Sequence, residues 1–413
     1  MTSLFSPAFF ANNRARLRHS IGSDMPIIIT GNGSMQRAAD EPFKFTQDSN
    51  FWYLTGLTAP ELTLVMTTAG DFLIAPSLSL ERQVFDGAHD LNAFTQRSGL
   101  ADIVGERDGW RRVREAVEHT HQVATLAAVP SYLSRYRMYS LPYRRRLLTK
   151  LKRLDPAVTV RDIRTELAHL RALKQPSELD ALQRAIAITT DTLGEVAQAT
   201  ALSEVRHEYE LEAAISYGFR RRGADGHAFE PIVGAGAHAT TLHHIDNTGP
   251  VTPGDLIVLD VGASVEHYAA DITRTVNQHP LTKRQQQVFD AVAYVQDYAL
   301  SLLKPGVLLH DYETAVADHM GSVLRDLGLI DQPGASAVRH YFPHATSHFL
   351  GLDTHDVGDY SRPLEAGMVV TCEPGIYIPE ENIGVRIEDD ILITENGYVN
   401  LSGACPRALG HLQ

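Results

Sequence analysis

The sequence predicts an α+β protein with a small α/β domain at its N-terminal end. A larger domain follows, in which helices cover one face of a curved antiparallel sheet. Three observations lead to this prediction. The chain has 413 residues, which is long for a single domain. Its first part alternates short apolar runs with helical patterns. In its later part the helical patterns come first, and strands and turns follow from His340 on.

Strand and helix signals alternate in the first domain. Short apolar runs that are typical of strands cover 26–30, 62–67 and 72–75, and helical patterns cover 108–129 and 141–154. Strands that alternate with helices are typical of an α/β domain, because the helices cover the faces of the sheet.

A second set of start signals marks the larger domain. Asp155 and Pro156 end the basic segment that precedes them, and 174–178 has the Pro and Glu pattern of a helix N-terminus. We therefore predict a boundary near residue 165, with an N-terminal domain over 1–165 and a second domain over 166–413. The helical patterns of the second domain cover 176–200, 204–222, 282–303 and 308–328.

Composition and charge narrow the classes of function. Lys and Arg number 37 against 50 Asp and Glu, which gives a net charge of −13. This charge disfavours a general binder of nucleic acids or anionic membranes. No apolar run approaches the ~20 residues that a membrane span needs, and two cysteines, Cys372 and Cys405, cannot form a disulfide framework. We expect a cytoplasmic protein that acts on neither nucleic acid nor membrane.

Two acids face each other in a predicted hairpin. Strand-like runs flank a polar tip at Val265 and Glu266. A turn centred there would place Asp260 opposite Asp271, so that both carboxylates project from the same face. Opposed carboxylates among apolar neighbours repel each other unless a cation or a shared proton compensates.

The same arrangement recurs further along the chain. A turn centred on Glu380 and Glu381 would place Glu373 opposite Glu388. Cys372 alternates to the opposite face, where burial is expected. One pair of opposed acids could be a coincidence, but two pairs with matching symmetry indicate a metal site. A bulge would shift either register.

Three histidines lie between the two predicted hairpins, at His344, His348 and His355. Each one alone is more typical of a hydrogen-bonded structural histidine, but three in so short a segment are unusual for a core. Four carboxylates and one imidazole form an oxygen-rich site that suits Mn²⁺, with Co²⁺ or Zn²⁺ as alternatives. So many anionic ligands favour two bridged ions, about 3.5–4 Å apart.

Other catalytic motifs are missing from the sequence. His207 and Glu208 are not followed by the second histidine that a zincin helix requires. The glycine pairs at 31–33 and 234–236 lack the third glycine of a dinucleotide-binding loop and are more typical of turns. Neither a P-loop nor a Gly-x-Ser-x-Gly elbow is present.

With these residues in place, the chain resembles the pita-bread metallopeptidases, in the branch of Xaa-Pro aminopeptidase (aminopeptidase P) and prolidase. The matching segments stand in family order as LDVGASVEHYAADITRT, HATSHFLGLDTHDVG, TCEPGIYI and GVRIEDD. The segment ADEPFKFTQDSNFWYLTG resembles the N-terminal domain of aminopeptidase P. The resemblance implies a pita-bread catalytic domain and a dinuclear metal centre, usually Mn²⁺, that hydrolyses the bond before proline.

The resemblance also implies roles for individual residues. Five residues match the metal ligands of the family, and all five are present: Asp260, Asp271, His348, Glu373 and Glu388. Glu373 matches the general base as well. The metal ions would lower the pKa of a bridging water and polarise the scissile carbonyl.

Five further residues match positions that contact substrate or support the ligands: His243, His344, His355, Arg386 and Tyr377. His355 would stabilise the tetrahedral intermediate, because negative charge develops on the carbonyl oxygen. Arg386 and Tyr377 share parity with Glu388 and Glu373 and therefore project into the same cavity. Whether His244 shares the role of its neighbour stays open.

The leading interpretation is an Xaa-Pro aminopeptidase that acts on peptides with proline in the second position. Prolidase, which is restricted to Xaa-Pro dipeptides, is the alternative, because the two activities share their chemistry. A prolidase must also bind the carboxylate of the dipeptide, and no motif reports a pocket for it. A non-catalytic pita-bread binding protein is less favoured, since such members lose metal ligands. The N-terminal domain and the run His355–Gly358 argue against methionine aminopeptidase. The family further implies a homodimer or homotetramer.

Overall fold

The structure is a computed structural model that describes residues 3–126, 133 and 136–408. The chain divides into two compact units, Met1–Leu170 and Arg171–Gln413. The assignment of domains with a boundary near residue 165 stays a prediction. Within the described ranges, no helix combines the length and the apolar character needed to cross a bilayer.

The first unit is built around a mixed sheet. Its strands are β1 (Ile27–Thr30), β2 (Gln36–Ala38), β3 (Glu41–Pro42), β4 (Thr63–Thr67), β5 (Gly70–Ala75), β6 (Ile103–Gly105), β7 (Gln122–Thr125) and β8 (Thr159–Asp162). Six of these strands form one sheet in the order β6-β5-β4-β1-β7-β8. Strand β1 is antiparallel to β4 and parallel to β7. The α/β character predicted for this region is confirmed.

Helices precede, separate and follow these strands along the chain, and the last of them runs into the start of the second unit. They are α1 (Pro7–Ile21), α2 (Ser49–Thr55), α3 (Leu80–Asp86), α4 (Leu91–Ser98), α5 (Glu106–Thr120), α6 (Tyr143–Leu154) and α7 (Arg164–Ala172). The helix predicted over 108–129 is wrong beyond Thr120. His121 adopts a left-handed backbone conformation with a φ of 51°, which ends α5, and the next residues form β7. Residues 127–129 of that prediction lie outside the described residues.

The second unit contains eleven short strands in its described part. They are β9 (Gly226–His227), β10 (Ile232–Ala235), β11 (Leu256–Val261), β12 (Ala263–Val265), β13 (Tyr268–Ala269), β14 (Ile272–Asn277), β15 (Val369–Cys372), β16 (Gly375–Ile378), β17 (Ile383–Arg386), β18 (Asp389–Thr394) and β19 (Gly397–Asn400). Every ladder between two of these strands is antiparallel. The antiparallel architecture predicted for this region is therefore confirmed.

The helices of the second unit pack on these strands. They are α8 (Pro176–Val196), α9 (Ala199–Leu202), α10 (Glu208–Arg221), α11 (Lys283–Leu302), α12 (Leu309–Asp326) and α13 (Ala335–Tyr341), with short 3₁₀ turns at Gly236–Thr240 and Pro379–Glu381. The start predicted for α8 is confirmed, because Gln175 and Glu178 form a capping box around Pro176. Apolar residues of α11 and α12 share one core with β15 to β18.

The first predicted hairpin forms, but its register differs from the prediction. Asp260 lies opposite Thr273 rather than opposite Asp271. The turn falls on Glu266 and His267, whose φ angles of 45° and 71° are left-handed, so its centre is one residue later than predicted. Because the register moves by two residues, Asp271 keeps the parity that directs it to the face of Asp260.

The second predicted hairpin has the predicted register. Gly375 lies opposite Arg386 in the β16–β17 ladder, and Cys372 lies opposite Asp389 in the β15–β18 ladder. Glu373 falls between these two pairs, in the register that faces it toward Glu388. Cys372 itself is fully buried, as predicted.

Candidate metal centre

The five side chains that the sequence predicts as metal ligands converge in one cluster of the second unit. Ligand atoms of Asp271, His348 and Glu388 all lie within 4.8 Å of one another. The Nε2 atom of His348 lies 3.4 Å from Glu373 Oε1. Asp260 is the fifth side chain of the cluster. Burial raises the pKa of Asp271, and the charge of Asp260 raises it further, which indicates that the two carboxylates are close.

Backbone hydrogen bonds hold the segments that carry these side chains together. The amide of Glu373 donates to the carbonyl of Thr346 over 2.9 Å, which joins the histidine segment to the second hairpin. The amide of Glu388 donates to the carbonyl of Thr273 over 3.1 Å, which joins the second hairpin to the first. The ligand positions are therefore set by strand ends that are tied to one another, rather than by free loops.

The imidazole of His348 is oriented as a metal ligand requires. Its Nδ1 atom lies 3.0 Å from the carbonyl oxygen of Phe349, so this nitrogen carries the ring proton and donates it. The lone pair of Nε2 then faces the carboxylates of Asp271 and Glu373, each 3.4 Å away. A backbone carbonyl that fixes the tautomer of a ligating histidine is a common device at metal sites.

Burial and mutual repulsion disfavour the charged form of three of the clustered acids. Burial raises the pKa of Glu373 to about 7. It raises the pKa of Asp271 and of Glu388 well above their ordinary values, and the neighbouring carboxylates raise them further. Within the described part of the chain, Arg386 is the one Lys or Arg that forms an ion pair with these acids, through Asp260. One arginine cannot neutralise four carboxylates.

The donor set fits divalent metal ions. The Oδ1 atom of Asp260 is buried and has no hydrogen-bond partner among the described residues. A buried carboxylate oxygen without a partner is costly, and a metal ion would satisfy it. Four carboxylates and one imidazole are the ligands that hard or borderline divalent ions prefer. The residues present therefore suit the divalent metal ions that the sequence implied.

Arg386 and Tyr377 contact residues of the acid cluster and its surroundings. Arg386 Nε donates to the hydroxyl of Thr273 over 3.1 Å, and that hydroxyl donates to Glu388 Oε2 over 2.6 Å. Arg386 also donates to the Tyr377 hydroxyl over 2.9 Å. Sequence reasoning missed Thr273, although its parity with Asp271 could have indicated that it faces the same cluster.

His344 is joined to this network. Its Nδ1 atom donates to the carbonyl of Ala345 over 2.8 Å, and its Nε2 atom accepts from the Tyr377 hydroxyl over 2.8 Å. Burial lowers the pKa of His344 to about 3, and the charge of Arg386 lowers it further. The imidazole is therefore neutral at physiological pH, with its Nδ1 atom 3.6 Å from Glu373 Oε2.

His355 lies beside the ligand histidine, with ring centroids of His355 and His348 4.4 Å apart. Burial lowers the pKa of His355 to about 4, and the neighbouring histidines lower it further. The next residue, Asp356, is buried and forms ion pairs with two cations, which the sequence did not predict. It pairs with Arg171, and Lys174 Nζ lies 3.1 Å from its Oδ2 atom. This ion cluster fixes the segment that carries His355.

A second buried arginine anchors the second hairpin. Arg274 donates to the carbonyl of Glu388 over 2.6 Å and to Asp389 Oδ1 over 2.7 Å. It also donates to the carbonyls of Cys405 and Pro406, at 2.7 and 2.8 Å. Arg274 therefore connects the first hairpin, the last ligand and the segment that follows β19.

The two adjacent histidines at 243 and 244 face different partners. His243 is exposed, and its charge lowers the pKa of both His344 and His355 after the larger effect of burial, which places it near them. The Nε2 atom of His244 lies 3.0 Å from Glu208 Oε2. This contact with Glu208 directs the side chain of His244 away from the substrate-contacting role that was considered for His243.

The antiparallel architecture and this cluster of acids fit the class of metal-dependent hydrolases. The model of metallopeptidase family M24 matches residues 180–395, and the model of the aminopeptidase P N-terminal domain matches residues 10–124. The chain belongs to metallopeptidase family M24, the family of the Xaa-Pro aminopeptidases and prolidases that its motifs indicated.

Similar proteins support this placement over nearly the whole chain. An Xaa-Pro aminopeptidase of Escherichia coli is 33% identical, with 96% of this chain and 94% of the relative covered. Xaa-Pro aminopeptidase 3 of Rattus norvegicus is 31% identical, with 95% and 81% covered.

Two solved structures have the same fold. A structure described as a putative aminopeptidase P from Bacillus anthracis has a TM-score of 0.88 at 29% identity, with 98% of this chain and 96% of that chain covered. The zinc-substituted E. coli aminopeptidase P in complex with product has a TM-score of 0.85 at 28% identity, with 98% and 97% covered.

Proposed function

We propose that this protein is an Xaa-Pro aminopeptidase, which releases the first residue of peptides with proline in the second position. The observation that carries the proposal is the cluster of His348 with three buried carboxylates and the partly buried Glu373, in which Oδ1 of Asp260 has no hydrogen-bond partner among the described residues. The names of the similar proteins supply the substrate class, and the match to an aminopeptidase P N-terminal domain favours this activity over prolidase.

In this proposal, Asp260, Asp271, His348, Glu373 and Glu388 hold two divalent ions, with Mn²⁺ as the expected metal and Co²⁺ or Zn²⁺ as alternatives. When bound, the ions supply a water of lowered pKa and polarise the scissile carbonyl. Glu373 acts as the general base that accepts the proton of this water.

The histidines around the cluster act on the substrate. His355, neutral because its pKa is lowered to about 4, donates an N–H to the oxygen on which negative charge develops. His344 is held by Tyr377, which is held in turn by Arg386, so its ring keeps one tautomer and one orientation. His243 contacts the substrate from the exposed side.

The test uses protein stripped of metal, with and without added Mn²⁺. Its substrates are an Xaa-Pro dipeptide, an Xaa-Pro-Yaa-Yaa tetrapeptide and a matched tetrapeptide with alanine in place of proline. We expect Mn²⁺-dependent cleavage of the proline tetrapeptide before proline and no cleavage of the alanine control. Cleavage of the dipeptide alone would make the protein a prolidase. Cleavage of neither peptide by metal-loaded protein would contradict the proposal and favour a binding function.

We further propose that the enzyme is cytoplasmic and forms a homodimer or homotetramer. Light scattering coupled to size-exclusion chromatography measures the assembly directly. A mass of one chain over the micromolar range would contradict the oligomer.

A further inference from the structure

A second group of potential metal ligands lies outside the five-ligand cluster. Within the described residues, one ligand atom each of Glu208, His238 and His244 lies within 4.8 Å of the others. Glu208 begins α10, His238 lies in the 3₁₀ turn Gly236–Thr240, and His244 follows that turn. The function proposed above uses none of these three side chains.

The carboxylate of Glu208 is fixed in place. Its side chain is fully buried, and each oxygen accepts one backbone amide. Oε1 accepts from Ala235 over 2.9 Å, and Oε2 accepts from Gly249 over 2.7 Å. Both oxygens therefore keep one lone-pair direction for a further partner, and the direction does not depend on a flexible side chain.

The two imidazoles approach this carboxylate together. His238 Nδ1 lies 2.8 Å from Oε1 of Glu208, and His244 Nε2 lies 3.0 Å from Oε2. The two rings are stacked with their centroids 4.1 Å apart. Among the described residues, no Lys or Arg forms an ion pair with Glu208. A buried carboxylate is thus compensated only by amides and by two imidazoles.

The backbone approaches the group closely at Gly249. A Cβ atom at Gly249 would lie 2.5 Å from His238 Nδ1 and 2.9 Å from Glu208 Oε2. Any residue other than glycine would displace the two potential ligands. The exposed fraction of the His238 side chain is 43%, so the group is open to solvent from one side.

We propose that Glu208, His238 and His244 form a third metal site that is separate from the five-ligand centre and takes a borderline ion such as Zn²⁺. One carboxylate, two imidazoles and a water complete the tetrahedral set that Zn²⁺ prefers. Zn–N and Zn–O bonds of about 2.0–2.2 Å place neighbouring ligand atoms about 3.3 Å apart, close to the contacts already present.

Binding replaces two hydrogen bonds by coordinate bonds. Each ring nitrogen that now contacts Glu208 gives its lone pair to the ion, and the ring proton resides on the other nitrogen. The ion cross-links α10 to the segment that carries His243, which precedes His244 directly. We therefore expect it to stabilise that segment.

The experiment compares bound zinc between variants, because the five-ligand centre contributes equally to all of them. The site variant is His238→Ala. The control is His207→Ala, whose side chain is 42% exposed and contacts Glu210 rather than Glu208. After equilibration of full-length protein with Zn²⁺, elemental analysis should give one zinc per chain more for wild type and the control than for His238→Ala. Zn²⁺ added to Mn²⁺-loaded protein should raise the Tm of the first two only.

A second variant separates metal binding from folding. His238→Asn keeps an N–H donor for Glu208 but provides a much weaker ligand, so it should fold like wild type and lack the additional zinc. Equal zinc in wild type and His238→Asn would overturn the proposal and leave the three residues as a hydrogen-bonded scaffold. Because the readout is bound metal, this outcome does not depend on whether the enzyme cleaves Xaa-Pro peptides.

Discussion

Two groups of buried acids in the second unit differ in their compensation. Burial opposes the ionisation of Asp356 and Asp389, yet the charges of their arginine and lysine partners lower the pKa of each. Burial also opposes the ionisation of Asp271 and Glu388, and there the neighbouring acids raise the pKa values further. The degree of burial is similar in the two groups, so the partner decides the sign of the shift.

The difference shows what the metal centre lacks. Asp356 lies between Arg171 and Lys174, and Asp389 pairs with Arg274, so these acids are compensated by the protein. The ligand cluster has Arg386 for four carboxylates. The protein places three cations beside two structural acids but only one beside the four clustered acids. Bound metal ions would therefore compensate the remaining negative charge of the cluster.

The largest effect should come from the ligand group. Glu373→Ala would remove a proposed metal ligand that is also the proposed general base, so we expect kcat to fall by about 10²–10⁴-fold. Elemental analysis should show the loss of at least one metal ion per chain. Glu395→Ala, at an exposed acid in the turn before β19, is the control and should keep full activity. Unchanged turnover in Glu373→Ala would remove this residue from the mechanism.

Substitutions in the group of acids that are paired with Arg or Lys should lower the free energy of unfolding. Asp356→Asn leaves Arg171 and Lys174 buried without their shared acid, and we expect the free energy of unfolding of the metal-loaded protein to fall by about 3–5 kcal/mol. Asp353→Asn removes the other partner of Arg171, at a side chain that is 47% exposed. Because that pair is near solvent, its loss should cost about 0–1 kcal/mol. Similar losses in both variants, measured by denaturant unfolding, would contradict the role given to burial.

The two groups should also give opposite pH dependence. In metal-free protein, Glu373 has a pKa raised to about 7, so its contribution to stability is present below its unfolded pKa and is lost as the pH rises through 7. We expect a loss of about 1–3 kcal/mol between pH 5 and pH 8. Asp356 and Asp389, with lowered pKa values, contribute above their unfolded pKa and lose this contribution as the pH falls below it.

Bound metal removes the first of these two dependences, because the ions favour the ionised acids. Thermal unfolding of metal-free and Mn²⁺-loaded protein across pH 5–8 measures the first dependence, and the same measurement across about pH 2–5 measures the second. A metal-free protein that gains stability with rising pH between pH 5 and pH 8 would contradict the assignment.

A smaller effect is expected behind the ligands. Thr273→Val keeps the shape of the side chain but removes the hydroxyl that donates to Glu388 and accepts from Arg386. Loss of such a supporting contact should weaken metal affinity by about 10–100-fold. Thr314→Val is the control, since that hydroxyl is exposed and contacts only the carbonyl of His310. Equal metal affinity in both variants would show that the contact does not orient the ligand.

Local patterns explain which parts could be predicted from the sequence. Each hairpin is a contact between neighbouring segments, so its turn signal and alternation indicated both pairs of acids. The second register was confirmed, whereas the first was wrong by two residues because Glu266 and His267 take left-handed backbone conformations that the sequence did not reveal. The even shift preserved the predicted face.

Long-range contacts could not be predicted in this way. Arg171 and Asp356 are in contact although most of the sequence of the second unit lies between them. No spacing rule connects two residues so far apart in the chain. Strand β7 was missed for a different reason, because α5 ends at His121, a residue that is not a usual helix stop. The Glu208 group was missed since its three members lie on different segments and match no linear motif.

The contacts of Arg274 have a consequence for the order in which the enzyme matures during synthesis. Asp260 and Asp271 leave the ribosome long before Glu388 and the Cys405–Pro406 segment, which Arg274 binds. The nascent hairpin therefore holds two acids and an arginine whose final partners do not yet exist. The five-ligand cluster cannot be complete before Glu388 is synthesised, so the emerging chain is expected to remain without peptidase activity until nearly all of the second unit has been translated.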